Sequence, residues 1–178
     1  MKKIVSFIMV CILLLGLCAC SSEPSLVGTA PTDNDAATEN PTAQADKIFK
    51  LGDVVELDDI IVSFVDVTES TGSDFNKPAD GNVFVLCEFE ITNNSSEEIS
   101  VSSMLSFEAY CDDYSCDYSF SALLEKGNKD QLDGTIAAGK KMKGVVGYEL
   151  PSNWKELEIH YTLSILESDE IVFVATNN

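Results

Sequence analysis

The chain has 178 residues, 45% hydrophobic and 8% aromatic, which suits one folded domain with additional segments. Thirty Asp and Glu against eleven Lys give a formal charge of −19, with no arginine and one histidine, His160. This excludes nucleic-acid binding, whose phosphates need cationic partners, and chemistry needing a guanidinium clamp or a histidine pair in one chain; it also opposes lying flat on anionic lipid.

Residues 1–19 read MKKIVSFIMVCILLLGLCA. Lys2 and Lys3 form a short cationic start, and Ile4 to Leu17 is apolar apart from Ser6 and Gly16. That is the layout of a secretory signal, and it is short for a membrane span. The junction Leu17-Cys18-Ala19-Cys20 resembles the bacterial lipobox: Leu at −3, a small residue at −1 and Cys at +1. Cys18 departs from the usual residue at −2. The resemblance implies lipid on the Cys20 sulfur and cleavage before it, which anchors the chain to the outer side of the cell membrane. Two acyl chains hold a protein stably where one holds it marginally. The mature chain then loses two lysines and no acid, for a charge of −21.

Cys20 and the stretch to Asp46 are expected to form the lipidated start and a disordered tether. Ser21 to Asp46 is rich in Ser, Thr, Ala, Asp, Asn and Pro, with one small apolar pair, Leu26 and Val27. It cannot bury enough surface to offset its ordering entropy, and Pro24, Pro31 and Pro41 discourage regular structure. Its 26 residues reach about 90 Å extended and about 30 Å as a coil. Asp33-Asn34-Asp35 lacks the glycine and the ligand spacing of a calcium loop.

From Lys47 to Asn178 short β-branched and aromatic runs alternate with turn residues. Lys47–Phe49 and Val54–Leu57 read as strands split by Gly52-Asp53, then Ile60–Val67. Asn82–Asn93 is the clearest strand: Val83, Val85, Cys87, Phe89 and Ile91 share one face, with Glu88 and Glu90 on the other. Asn93 to Glu97 reads as a turn. Ser100–Cys111 reads as one strand, with Asp117–Ala122 as its hairpin partner. Gly127 to Gly139 is polar and glycine-rich; Lys141–Leu150, Glu156–Ser164 and Ile171–Ala175 complete the set. Seven to nine short strands predict an all-β fold, an immunoglobulin-like antiparallel β-sandwich over 47–178, after signal peptide and linker.

Some of these features resemble a known family. Gly52-Asp53 before a valine-rich strand, the long strand ending Asn93-Asn94-Ser95-Ser96, and Ala138-Gly139 leading through Gly144-Val145-Val146 to Tyr148-Glu149-Leu150-Pro151 are similar to the DUF4352 domain. That domain is common in lipoproteins of Gram-positive bacteria. The resemblance implies an immunoglobulin-like sandwich and an extracellular location, and it supplies no catalytic residues to carry over.

Cys111 and Cys116 flank Asp112-Asp113-Tyr114-Ser115, so a tight hairpin would set them opposite each other as a candidate disulfide. Cys87, on the core-facing register, reads as an inert buried thiol. Four mature cysteines and one histidine offer no zinc spacing. Asp112, Asp113, Asp117, Asp130 and Asp133 read as a solvated acidic rim rather than a calcium cage. His160 falls on a polar strand register, too far from Cys87's face to activate it. Trp154, with Tyr148 and Tyr161, is a candidate recognition patch, although a lone Trp after Pro151 more often plugs the end of a sandwich. No catalytic set, metal or cofactor is expected. The function expected is a membrane-anchored extracellular module binding a protein, a cell-wall polymer or a small ligand; the alternative is an accessory subunit of an envelope complex or transporter. A cleft or exposed aromatic patch at one end of the sandwich separates the first from the second.

Overall fold

The computed structural model describes residues 23–29, 47–163 and 169–177. The elements are β1 (Ser25–Thr29), β2 (Ile48–Lys50), β3 (Asp53–Leu57), β4 (Ile60–Ser70), β5 (Asn82–Asn93), β6 (Ile99–Ser102), β7 (Phe107–Cys111), β8 (Tyr114–Cys116), α1 (Phe120–Leu123), β9 (Asp133–Ile136), β10 (Lys140–Pro151), β11 (Glu156–Thr162) and β12 (Glu170–Thr176). One sheet has the order β1-β3-β4-β5-β10, the other β2-β12-β11-β7-β8, and β6 and β9 pair as a small ribbon. Pairing is antiparallel except that β2 runs parallel to β12. The protein is therefore a β-sandwich, as its alternating pattern predicts.

The two inner faces meet in an aromatic cluster. Phe64 and Phe89 of the first sheet stack at 4.6 Å between ring centroids. Phe173 of the second sheet lies 5.7 and 5.6 Å from them, and Phe107 lies 5.2 Å from Phe89. A bulge between Phe64 and Asp66 shifts the register of β4, so that Val67 returns to the core side after Ile60, Val62 and Phe64.

On β5 the expected inner face is buried as read, but the other face is not simply solvated. Phe84 and Leu86 pack there with Ala122, Leu123 and Val145 in a second, smaller core. The chain around α1 lies so flat on β10 that a Cβ at Gly147 would come within 3.0 Å of the Ala122 Cβ, and one at Gly144 within 2.9 Å of the Asp130 carbonyl. These glycines are there for close approach. Glu88, expected to face water, is nearly covered, and its carboxylate takes Lys129 at 2.8 Å and Lys143 at 3.3 Å.

Several elements differ from the reading of the sequence. The run Ser100–Cys111 is broken into β6 and β7 by a turn in which Ser106 N–H donates to the Ser102 carbonyl at 2.8 Å. Ser103 ties that turn to Asp133 through its N–H (3.0 Å) and hydroxyl (2.7 Å). Leu105 is 67% exposed as a result. The hairpin partner of β7 is β8, not Asp117–Ala122, because Asp112 and Asp113 turn the chain in two residues with φ of 48° and 70°. Ser119 then caps a helical turn, its hydroxyl accepting the Ala122 N–H at 3.2 Å. β9 arises within the glycine-rich 127–139 stretch. The tether expected over 20–46 is not wholly without structure, since Ser25–Thr29 adds to the edge of β3. The open β3 edge supplies the backbone partners that the segment's own side chains do not; all five residues of β1 stay exposed.

Tyr148 is buried to 1% exposure, and its hydroxyl finds no hydrogen-bond partner among the described residues. Tyr148→Phe is therefore expected to leave stability unchanged or raise it by up to about 1–3 kcal/mol, the cost of an unsatisfied buried hydroxyl. Urea unfolding midpoints of the two proteins check this.

Candidate functional site

Cys20 lies outside the described residues. The three described cysteines, Cys87, Cys111 and Cys116, carry free thiols. The hairpin register sets Cys111 against Tyr114 and Cys116 against Ala109, so Cys111 and Cys116 sit diagonally and do not face each other as expected. The two-residue turn is the reason: it pairs Cys111 with Tyr114, two residues before the Cys116 that a four-residue loop would set opposite. Burial pushes the Cys116 thiol up to about 12, with the neighbouring Cys111 adding to the effect. Cys87 is raised further, first by complete burial and then by Cys116 and Asp66. All three are poor thiolates, and nucleophilic chemistry needs the thiolate.

His160 lies on the outer face of the second sheet, while Cys87 points into the core from the first, so the two do not meet. The imidazole is held on both sides: Nε2 lies 2.7 Å from Glu158 Oε1 and Nδ1 lies 3.1 Å from Glu170 Oε2. Partial burial lowers its pKa, but the hydrogen bonds and charges of Glu158 and Glu170 outweigh that and hold it above the usual imidazole value. A raised folded pKa adds stability below the unfolded value of about 6.5, and that contribution disappears as pH rises through the folded value. His160→Gln should thus destabilise the protein at pH 6, by less than about 1 kcal/mol for a partly solvated group, and have little effect at pH 9. Urea midpoints at the two pH values read this out.

The five loop acids are not brought to one point. Asp112 accepts the backbone N–H groups of Lys155 (3.0 Å) and Glu156 (2.9 Å), pinning the hairpin tip to the start of β11. Asp133 is engaged with Ser103 and Gln131 at the small ribbon. Among the described residues no group of three or more His, Cys, Asp or Glu stands in a ligating arrangement. Tyr148, Tyr161 and Trp154 are all buried, so they form no recognition patch. Trp154 plugs the end of the sandwich, its indole N–H donating to Glu69 Oε1 at 2.6 Å.

The exposed aromatics are others. A cleft of about 740 Å³ opens at the end of the sandwich where β10 finishes, between β8 with the following segment to Ser121 on one side and Glu149–Pro151 and Asn153 on the other. Tyr114 and Phe120 line it and are 79% and 64% exposed. Ser115, Asp117, Ser119 and Glu149 supply polar groups around them. A second depression of about 220 Å³ lies on the other side of the hairpin tip, lined by Tyr110, Asp113, Glu156, Glu158 and His160, with Asp112 shared by both. In the sequence Tyr114 and Phe120 sit among Asp and Ser, where they carry no periodicity. The usable signal was that two large aromatics stand within a polar, turn-rich stretch that has no core face to offer them.

The sequence profile of DUF5067, a domain of unknown function, matches residues 34–162. The chain belongs to this family. The DUF5067 match takes in both walls of the cleft and ends before β12, an internal strand of the second sheet. None of the curated protein sequences matches this chain. Among solved structures, a Bacillus subtilis protein described as a candidate lipoprotein, ycdA, superposes with a TM-score of 0.54 at 19% identity over 67% of this chain. The DUF5067 protein spans only 37% of the length of that relative. The yjhA protein of Bacillus subtilis gives a TM-score of 0.54 at 17% identity, covering 70% of this chain and 97% of that one. Both likenesses concern the fold. No helix among the described residues is long and apolar enough to cross a membrane.

Proposed function

We propose that this DUF5067 protein is a lipid-anchored module on the outer side of the cell membrane. It is a binder rather than an enzyme, and it presents the Tyr114–Phe120 cleft to a partner. We also propose kinship with DUF4352, on the strand-and-turn patterns in the sequence. The observation that carries the binding reading is the exposed aromatic cleft at one end of the sandwich. An accessory subunit docked through a flat face would not need it. His160, engaged by two glutamates, and three thiols raised by burial speak against catalysis.

The register of β1 supports the arrangement. Ser25 pairs with Glu56, and Leu57 is next to Ile60, which in turn pairs with Asn93, the partner of Lys140. β1 therefore starts at the end of the first sheet marked by Asp58, Asn93 and Lys140, whereas the cleft lies at the Pro151 end of β10. Eleven residue steps along β10 separate the two ends by about 37 Å. Five steps separate Cys20 from Ser25, a reach of about 18 Å at most. With β1 paired, lipid on Cys20 holds the Asp58 end near the membrane and turns the cleft away from it. On this reading the domain reaches the membrane through the five steps before β1 rather than through the whole of 20–46.

Two variants test this. Cys20→Ser should shift the protein from the membrane to the medium or stall its processing; normal processing with membrane retention overturns the anchor. In cells, Tyr114→Ala with Phe120→Ala should abolish the cross-links that the wild-type protein makes in the envelope, leaving its melting and lipidation unchanged. Cross-links that persist remove the cleft as the binding surface.

A further inference from the structure

The chemistry around the cleft indicates what kind of partner it takes. Among the described residues, Asp112, Asp117 and Glu149 line it and no cation does; Asp113, Glu156 and Glu158 line the adjoining depression, where His160 is the one basic group among them. Two exposed rings, Tyr114 and Phe120, stand among these carboxylates. Carboxylates near aromatic faces favour ammonium and guanidinium groups, by charge and by the ring quadrupole. A neutral glycan would use the rings and leave the charge idle, and a second copy of this chain, formally at −19, would be repelled.

The backbone adds a shape. Among the described residues, β8 is the last strand of its sheet. In a two-residue hairpin the closing pair, Cys111 with Tyr114, exchanges both its hydrogen bonds, as does Ala109 with Cys116. Ser115 between them therefore turns its own N–H and C=O to the open edge, alongside the cleft. An open edge accepts an extended chain.

Resting on the reading of the cleft as a binding surface, we propose that its partner is a protein presenting a basic, extended segment. Lysine or arginine side chains of that segment lie against Tyr114 and Phe120, and its backbone runs along the edge at Ser115. The area is at the membrane-distal end of the anchored domain, so the segment comes from a partner outside the lipid surface.

The test uses the mature chain carrying Cys20→Ser, titrated with three probes: an alternating Lys-Thr nonapeptide, its Glu-Thr counterpart and a tetrasaccharide of N-acetylglucosamine. The basic peptide is expected to bind saturably and the acidic one not at all. Tyr114→Ala and Phe120→Ala, which leave the charge unchanged and remove only exposed rings, should each weaken binding about 5- to 30-fold, and wild-type binding should weaken at higher ionic strength. Equal affinity in the aromatic variants means diffuse attraction to an acidic protein and overturns the proposal. Tetrasaccharide binding that needs the rings overturns the basic partner but keeps the cleft as the binding surface. No binding by any probe also overturns the basic partner, and the cellular cross-links of the Tyr114→Ala, Phe120→Ala protein then decide separately whether the cleft binds at all.

Discussion

Trp154→Ala is expected to lower the free energy of unfolding by about 3–5 kcal/mol, the usual cost of removing a large buried aromatic. Trp154 is 2% exposed and belongs to the main core. It follows Pro151 at the point where the chain crosses from β10 to β11, so it closes one end between the two sheets. Its indole N–H also holds Glu69 at the end of β4, an oxygen that takes a second bond from Asn177 at 3.2 Å. Loss of the ring opens a cavity where the sheets can close only partly. Trp154→Phe separates the contributions: it keeps most of the packing and should cost about 1.5–3 kcal/mol for the bond to a charged acceptor. Chemical denaturation of the two variants measures both. An alanine variant within about 1 kcal/mol of wild type contradicts the plug.

Asn93→Ala should cost about 2–4 kcal/mol, because it strands several buried groups at once. The side chain is fully buried. Its Nδ2 donates to the carbonyls of Glu97 at 2.7 Å and Ile136 at 2.9 Å. Its Oδ1 accepts the Ser95 N–H at 3.0 Å and the Ser95 hydroxyl at 2.6 Å. One amide thus closes the turn after β5 and fastens it to the end of β9. Asn93→Asp is expected to be worse than alanine, since it keeps the Ser95 bonds but sets a carboxylate against two carbonyls. Thermal melts order the three proteins: wild type, then alanine, then aspartate.

The β-sandwich was legible because alternation and turn chemistry agree over long strands. Asn82–Asn93 ends where the sequence says it should, since Asn93 itself is the turn-former. The misread segments are those where tertiary contacts overrode the local pattern. Ser100–Cys111 alternates well, but Ser102 and Ser103 have partners in Ser106 and Asp133 that break it into two strands. Ser25–Thr29 carries no burial signal because its side chains are all exposed; only the free edge of β3 makes it a strand. The cleft was legible only as a kind of feature to look for. Tyr114 opens a three-residue strand and Phe120 a capped helical turn, both too short for period two or period 3.6 to mark a functional side chain.

The distance of the cleft from the membrane separates a β1-docked domain from one that tumbles on its anchor. The lipidated protein in vesicles can carry a fluorophore at Asp113→Cys or at Asp58→Cys, with energy transfer to acceptors in the lipid headgroups. The native thiols, buried at Cys87 and Cys111 and half-buried at Cys116, are raised by burial and react slowly beside these exposed sites. A domain anchored through β1 puts the Asp58 label close to the bilayer and the Asp113 label about 35 Å farther away. Equal distances, or the Asp113 label nearer the lipid, would contradict a β1-docked domain that presents its cleft outward.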